Sequence, residues 1–210
     1  MQKLAVFDFD STLMDGETLE FFADKIGIRE KVKSITDKAM QGEADFFESL
    51  TERVMLLKGM SVSKIDEICK KLPVMRGAKE VVEGLKQRGY KVVCFSGGFR
   101  NATALFSEKL GLDGDFSNIL HSKNGILTGL VGGEMMFGDS KGLMLQRLQK
   151  LMDVKEENTL VVGDGANDLS MFKYAGKRVA FCAKPILKES ANIIIEEKDL
   201  SKILDYIEWR

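Results

Sequence analysis

LAVFDFDSTL, residues 4–13, is an aliphatic run that ends in two acids, Asp8 and Asp10, followed by turn formers. Short β-branched and aliphatic runs of this kind are buried strands, and Asp, Ser and Thr end the pairing by bonding to nearby backbone. Four further runs follow the same rule: KVVCFS (91–96), TLVVGD (159–164), RVAFC (178–182) and NIII (192–195). Between them, AKEVVEGL (78–85) and LSKILDYI (200–207) place apolar residues at i, i+3, i+4 and i+7, the period of a covering helix. Strand and helix in alternation predict an α/β fold, a doubly wound, mainly parallel, Rossmann-like sheet whose ligands sit at the carboxyl ends of its strands.

Two stretches break the alternation. Residues 14–72 contain no convincing strand, only helical periods such as Phe46, Leu50, Val54 and Leu57, and Pro73 closes them. This predicts a helical unit, 14–72, inserted into a core made of residues 1–13 and 73–210. In KNGILTGLVGGEMMFG (123–138), Asn124-Gly125 and Gly132-Gly133 flank apolar runs and predict a small β-hairpin excursion before a helix near Lys141.

Composition removes many functions. Of 210 residues, 31 are basic and 32 acidic, a net charge of -1 that gives nucleic acid or anionic lipid no footprint. The longest uncharged run, Asn124 to Gly133, is too short for a membrane span, and Asp8 interrupts any signal peptide. A cytoplasmic location without membrane or nucleic-acid partners is expected. Three cysteines without CxxC spacing exclude a disulfide frame and a thiolate metal site. A single histidine, His121, leaves little room for triads, zinc proteases or histidine nucleophiles. The chemistry is expected to rest on carboxylates.

Asp8 and Asp10 alone read equally well as a cap and a turn residue, and extension would point both the same way. A second strand, however, ends in Asp164 and Asp168, with Gly163, Gly165 and Asn167 around the turn. Two acidic strand ends in one sheet suit Mg²⁺, which takes one or two carboxylates and leaves room for phosphate. CFSGGFRNAT (94–103) empties a strand into Ser96, Gly97 and Gly98 before a helix, a pattern that cradles phosphate through backbone N–H groups. Lys141, near a helix start, reads either as a solvated lysine or as a partner for these acids. Cys94, five residues and then Arg100 also match a thiol-phosphatase loop, although Cys94 lies inside its apolar run.

Taken together, DFDSTL, CFSGGF, DSKG and GDGAND resemble, in order, the motifs of the haloacid dehalogenase-like superfamily, which explains the insertion as a cap. Over nearly the whole chain the sequence is similar to the phosphoserine phosphatase family. The resemblance implies Mg²⁺-dependent hydrolysis of O-phosphoserine, the last step of serine biosynthesis, with Asp8 as nucleophile and Asp10 as acid and base. It implies Asp8, the Asp10 carbonyl and Asp164 as metal ligands, and Asp168 orienting them from behind. Ser96, Gly97, Gly98, Lys141 and Asn167 would hold phosphate; Glu17 and Arg53 would take the substrate ammonium and carboxylate; Met40 and Phe46, or its neighbour Phe47, would line the closed pocket. Alternatives from the same residues are another small phosphomonoester, transfer to an alcohol such as homoserine, the thiol phosphatase and a receiver-like signalling module. Longer family members carry an N-terminal regulatory domain, and without one no allosteric control is expected.

Overall fold

The computed structural model describes residues 2–208. In chain order the elements are β1 (Lys3–Phe7), α1 (Thr18–Asp24), α2 (Arg29–Met40), α3 (Phe46–Met55), α4 (Val62–Cys69) and α5 (Ala78–Gln87). These lead into β2 (Tyr90–Phe99), α6 (Arg100–Leu110), β3 (Gly114–Lys123), β4 (Ile126–Gly133), α7 (Ser140–Met152) and β5 (Thr159–Gly163). The chain finishes with α8 (Leu169–Phe172), β6 (Lys177–Phe181), α9 (Pro185–Lys188) and β7 (Ile193–Ile195). One seven-stranded sheet runs β4-β3-β2-β1-β5-β6-β7. Only the β3–β4 pair is antiparallel. No helix among the described residues is long and apolar enough to cross a membrane.

β1 shows why the sheet is the core. Its side chains alternate between faces, Ala5 and Phe7 packing into one apolar cluster and Leu4 and Val6 into the other, all four fully buried. Helices therefore cover both faces, as a parallel sheet requires. Because β2 and β5 flank β1 on opposite sides, the carboxyl end of β1 is the crevice at which the winding reverses.

Past Phe7 the chain does not stay extended. Phe9–Leu13 form an irregular turn in which Ser11 takes φ 57°, so the carboxylates of Asp8 and Asp10 acquire different partners rather than repelling side by side. From there α1 to α4 form the cap region. The chain leaves and re-enters the core side by side: Met14 bridges Val74, Asp15 N donates to Pro73 O at 3.0 Å, and Met75 N donates to Leu13 O at 3.0 Å. Leu50, Val54 and Leu57 are buried as their spacing requires.

Three local expectations need correction. Residues 114–123 form a strand, β3, that the aliphatic runs do not predict: its two buried positions are Asn118 and Leu120, while Ile119 between them is 58% exposed. Only Asn124-Gly125 makes a turn, both residues having positive φ (52° and 76°), the geometry of a tight hairpin. Gly132 and Gly133 instead lie in β4, opposite Ile119 and Asn118. Residues Leu200–Tyr206 form 3₁₀ turns rather than an α-helix, tightened at the start where Asp199 Oδ1 accepts from Ser201 N and Oγ. Leu200, Ile203 and Ile207 are nonetheless buried.

Candidate active site

The site forms where β1 and β5 end. The Asp8 amide donates to Val162 O at 2.9 Å, extending the β1–β5 pairing by one residue and fixing the Asp8 backbone. Asp8 Oδ1 accepts from Phe9 N at 2.6 Å and lies 2.6 Å from Lys141 Nζ. Its other oxygen has no hydrogen-bond partner among the described residues. Lys141 is buried rather than solvated, and its Nζ also donates to Asp168 Oδ1 at 2.6 Å. Asp168 Oδ2 accepts from the amides of Asp164 and Gly165 at 3.0 and 3.2 Å, so both its oxygens are engaged and the acidic loop is pinned around it.

The charges do not balance. Carboxylate oxygens of Asp8, Asp164 and Asp168 all lie within 4.8 Å of one another, with one ammonium among them. Burial and Asp168 push Asp8 up to about 7 against the pull of Lys141. Burial, then Asp8, Glu17 and Asp168, raise Asp164 well above the usual carboxylate range. Burial opposes the charge of Lys141, but Asp168 and Asp8 hold its pKa above the ordinary value. With the oxygens of Asp168 already taken, the free oxygen of Asp8 and the carboxylate of Asp164 form an all-oxygen donor pair that fits a hard metal cation.

One cavity opens in front of this cluster. Asp8, Asp10, Glu17, Met40, Phe46, Arg53, Gly97, Gly98, Asp164 and Asn167 line it, together with Thr18 and Leu19. Lys141, in contact with both Asp8 and Asp168, lies away from the cavity lining, as does Asp168, and Ser96, next to Gly97 in β2, is fully buried. Ser96 Oγ accepts from Gly98 N at 2.9 Å, which leaves its own proton free to donate. Ser96, Gly97 and Gly98 lie within β2 rather than past its end, at an irregularity in the β2–β3 register between Phe95 and Phe99 where Asn118 Nδ2 donates to Gly97 O at 3.0 Å. A Cβ at Gly97 would stand 2.5 Å from the Phe46 ring, so glycine here lets Phe46 of the cap lie directly on the β2 backbone. Phe46 therefore faces the cavity, whereas Phe47 is 38% exposed and stacks on Phe137 with centroids 5.2 Å apart.

Asp10 accepts from Thr18 N at 2.7 Å and from Thr18 Oγ1 at 2.5 Å, which ties it to the first turn of α1. Burial raises its pKa, and the bonds from Thr18 oppose that. Burial, then Asp10, pushes Glu17 up to about 8, although Ser11 Oγ donates to Oε1 at 2.6 Å. Arg53 is 4% exposed and meets no carboxylate at ion-pair distance among the described residues. Burial lowers its pKa, with Glu17 and Asp10 acting against the shift. Asn167 Oδ1 is buried without a partner.

Cys94 takes no part. It is fully buried within β2 and burial raises its thiol pKa well above normal, while Arg100 is exposed at the start of α6. Sequence reasoning missed Thr18 and Asn118, whose roles arise only from the turn after β1 and the register shift after Phe95. A strand-end aspartate, a buried lysine shared between two carboxylates and a pair of strand glycines under a helical cap define a hydrolase of the carboxylate-dependent, phosphate-handling class.

Comparison with known proteins agrees. The family profile of haloacid dehalogenase-like hydrolases matches residues 2–176. A phosphoserine phosphatase of Wolinella succinogenes is 63% identical over 205 residues, covering 98% of this chain and 100% of that protein. A phosphoserine phosphatase of Methanocaldococcus jannaschii is 49% identical over 206 residues, 98% of each chain. A solved phospho-aspartyl intermediate analogue of phosphoserine phosphatase superposes with a TM-score of 0.96 at 49% identity, covering 99% of both chains. A substrate-bound phosphoserine phosphatase complex does so at 0.96 and 48%, again covering 99% of both. The chain belongs to the haloacid dehalogenase-like hydrolases and, within them, to the phosphoserine phosphatase family.

Proposed function

We propose that this chain hydrolyses O-phospho-L-serine to serine and phosphate with Mg²⁺, through an aspartyl phosphate on Asp8, in the cytoplasm, as the last step of serine biosynthesis. The observation that carries the substrate is that Arg53, a buried cation with no carboxylate at ion-pair distance among the described residues, lines the same cavity as Glu17 and Asp8. A zwitterionic amino-acid ester brings the two opposite charges that such a pair lacks.

Asp8 attacks phosphorus in line through one carboxylate oxygen, with the carboxylate oriented by Phe9 N and Lys141 Nζ. The P–O bond to serine breaks, and Asp10 gives its proton to the seryl oxygen; burial, which raises its pKa, favours the protonated form. In the second half Asp10 takes a proton from the water that attacks the aspartyl phosphate, which restores Asp8 and releases phosphate. Ser96 Oγ, the Gly97 and Gly98 amides, Lys141 and Asn167 receive the phosphoryl oxygens. Asp168 fixes the Lys141 ammonium and the amides of Asp164 and Gly165. Asp8, the Asp10 carbonyl and Asp164 would hold Mg²⁺, which would supply positive charge to keep Asp8 ionised and to offset the negative charge of the phosphoryl group. Residues 14–72 act as the cap over the core of 1–13 and 73–210, with Met40 and Phe46 excluding water while it is closed.

The test is phosphate release from O-phospho-L-serine beside other phosphomonoesters, with Mg²⁺ and with excess EDTA. Selective, EDTA-sensitive release is expected. Release that favours another ester would remove the roles of Glu17 and Arg53, and release indifferent to EDTA would remove the metal.

A further inference from the structure

Arg53 is held by one side-chain hydroxyl and one backbone carbonyl. Its Nη1 donates to Thr36 Oγ1 at 3.0 Å and its Nε to the Ser49 carbonyl at 3.1 Å. Two of the three guanidinium nitrogens are thus tied to the cap itself. The Nε edge, one of the faces that can give a carboxylate two parallel hydrogen bonds, is already committed. What remains for a ligand is the outer end, Nη2 and the second proton of Nη1.

Thr36, on α2, is 2% exposed and does not line the cavity with Asp8. Its own proton is spent on the Val32 carbonyl four residues earlier, at 3.0 Å, so a lone pair is left to receive Arg53. β-Branching restricts the rotamer, and the oxygen is held in place. The contact joins α2 to α3 at the residue that meets the substrate.

We propose that Thr36 is a positioning residue for substrate selection: it holds the outer end of the Arg53 guanidinium towards the carboxylate of the amino-acid phosphate ester. It contributes nothing to the phosphate end. The inference rests on the reading of Arg53 as the carboxylate's partner. Released from this bond, a long arginine side chain spreads over several rotamers and meets a fixed carboxylate less often.

The test compares O-phospho-L-serine with p-nitrophenyl phosphate, which has no carboxylate. Thr36→Val keeps the side-chain shape and removes the acceptor; it is expected to raise KM for phosphoserine about tenfold with kcat within about twofold, the size expected for one hydrogen bond to a charged group. The ratio of kcat/KM for the two esters then falls by a similar factor. Thr36→Ser is expected to restore most of the ratio, and Thr36→Val added to Arg53→Ala is expected to leave it where Arg53→Ala put it. Thr36→Ala carries the same expectation should the valine variant not fold. Equal losses on both esters, an unchanged ratio, or no rescue by serine overturns the role of Thr36. A wild-type enzyme that does not prefer phosphoserine overturns the reading of Arg53 itself and this inference with it, so the two failures are distinct.

Discussion

Lys141 Nζ stands 2.6 Å from Asp8 Oδ1, and neither side chain is more than 5% exposed. The same ammonium meets Asp168 at 2.6 Å, so one cation serves two buried acids. Breaking a buried pair by deleting one partner leaves uncompensated charge and costs about 3–5 kcal/mol. Lys141→Met is therefore expected to lower Tm by about 10 °C for a chain of this size and to abolish turnover. Thermal unfolding and phosphate release measure both, and a variant as stable as wild type would contradict the electrostatic role.

Asp8→Asn is expected to separate stability from activity. Burial and Asp168 lift the Asp8 pKa to about 7, so its surroundings, without a metal, favour an uncharged side chain. The amide should keep Tm in EDTA at neutral pH at least at the wild-type value, still bind inorganic phosphate, and lose turnover by several orders of magnitude. Substantial residual hydrolysis would remove Asp8 as nucleophile.

Glu17 sets a pH dependence with a definite sign. Its pKa rises from 4.5 unfolded to about 8 folded, chiefly through burial. Between those values the folded protein retains a proton that the unfolded chain has released, so this group's contribution to stability falls as pH rises through the window. Glu17→Gln is expected to raise Tm over wild type more at pH 8 than at pH 5. Only the ionised carboxylate pairs with an ammonium, so KM for phosphoserine should fall as pH approaches 8 in wild type and lose that trend in the variant. Parallel KM profiles for the two proteins would contradict the assignment.

Arg53→Ala removes a buried cation without an ion-pair partner among the described residues, so its main cost is expected in substrate selection rather than in folding. The loss in kcat/KM should be about a hundredfold for O-phosphoserine, in line with one charge-assisted pair, and far smaller for p-nitrophenyl phosphate. Equal losses measured side by side would take specificity away from the cap.

Strand-end acids make the site legible in the sequence itself. Asp8 and Asp164 close fully buried aliphatic strands, and because parallel strands end on one side of the sheet, the two carboxylates meet. Arg53 and Phe46, seven apart on α3, share the face that lines the cavity. What stays hidden depends on the path of the chain between elements. Thr18 reaches Asp10 only because the turn at Phe9–Leu13 folds α1 back over it, and Thr36 reaches Arg53 only through the packing of α2 on α3. Neither threonine carries a mark in sequence that separates it from an ordinary helical residue. β3 is hard to see because one of its two buried side chains is an asparagine, which bonds Gly97 O and the Met135 backbone where apolar packing is the usual signal, and because Ile119 faces out.

In the proposed reaction Asp8 carries the phosphoryl group between the two half-reactions. The most direct measurement is acid quenching during turnover of O-phospho-L-serine with Mg²⁺, followed by peptide mapping of the trapped phosphoenzyme. One alkali-labile acyl phosphate is expected, on the peptide that contains Asp8, and absent from Asp8→Asn. A phosphoryl group on Cys94 or any other side chain, or turnover unchanged in Asp8→Asn, would contradict it.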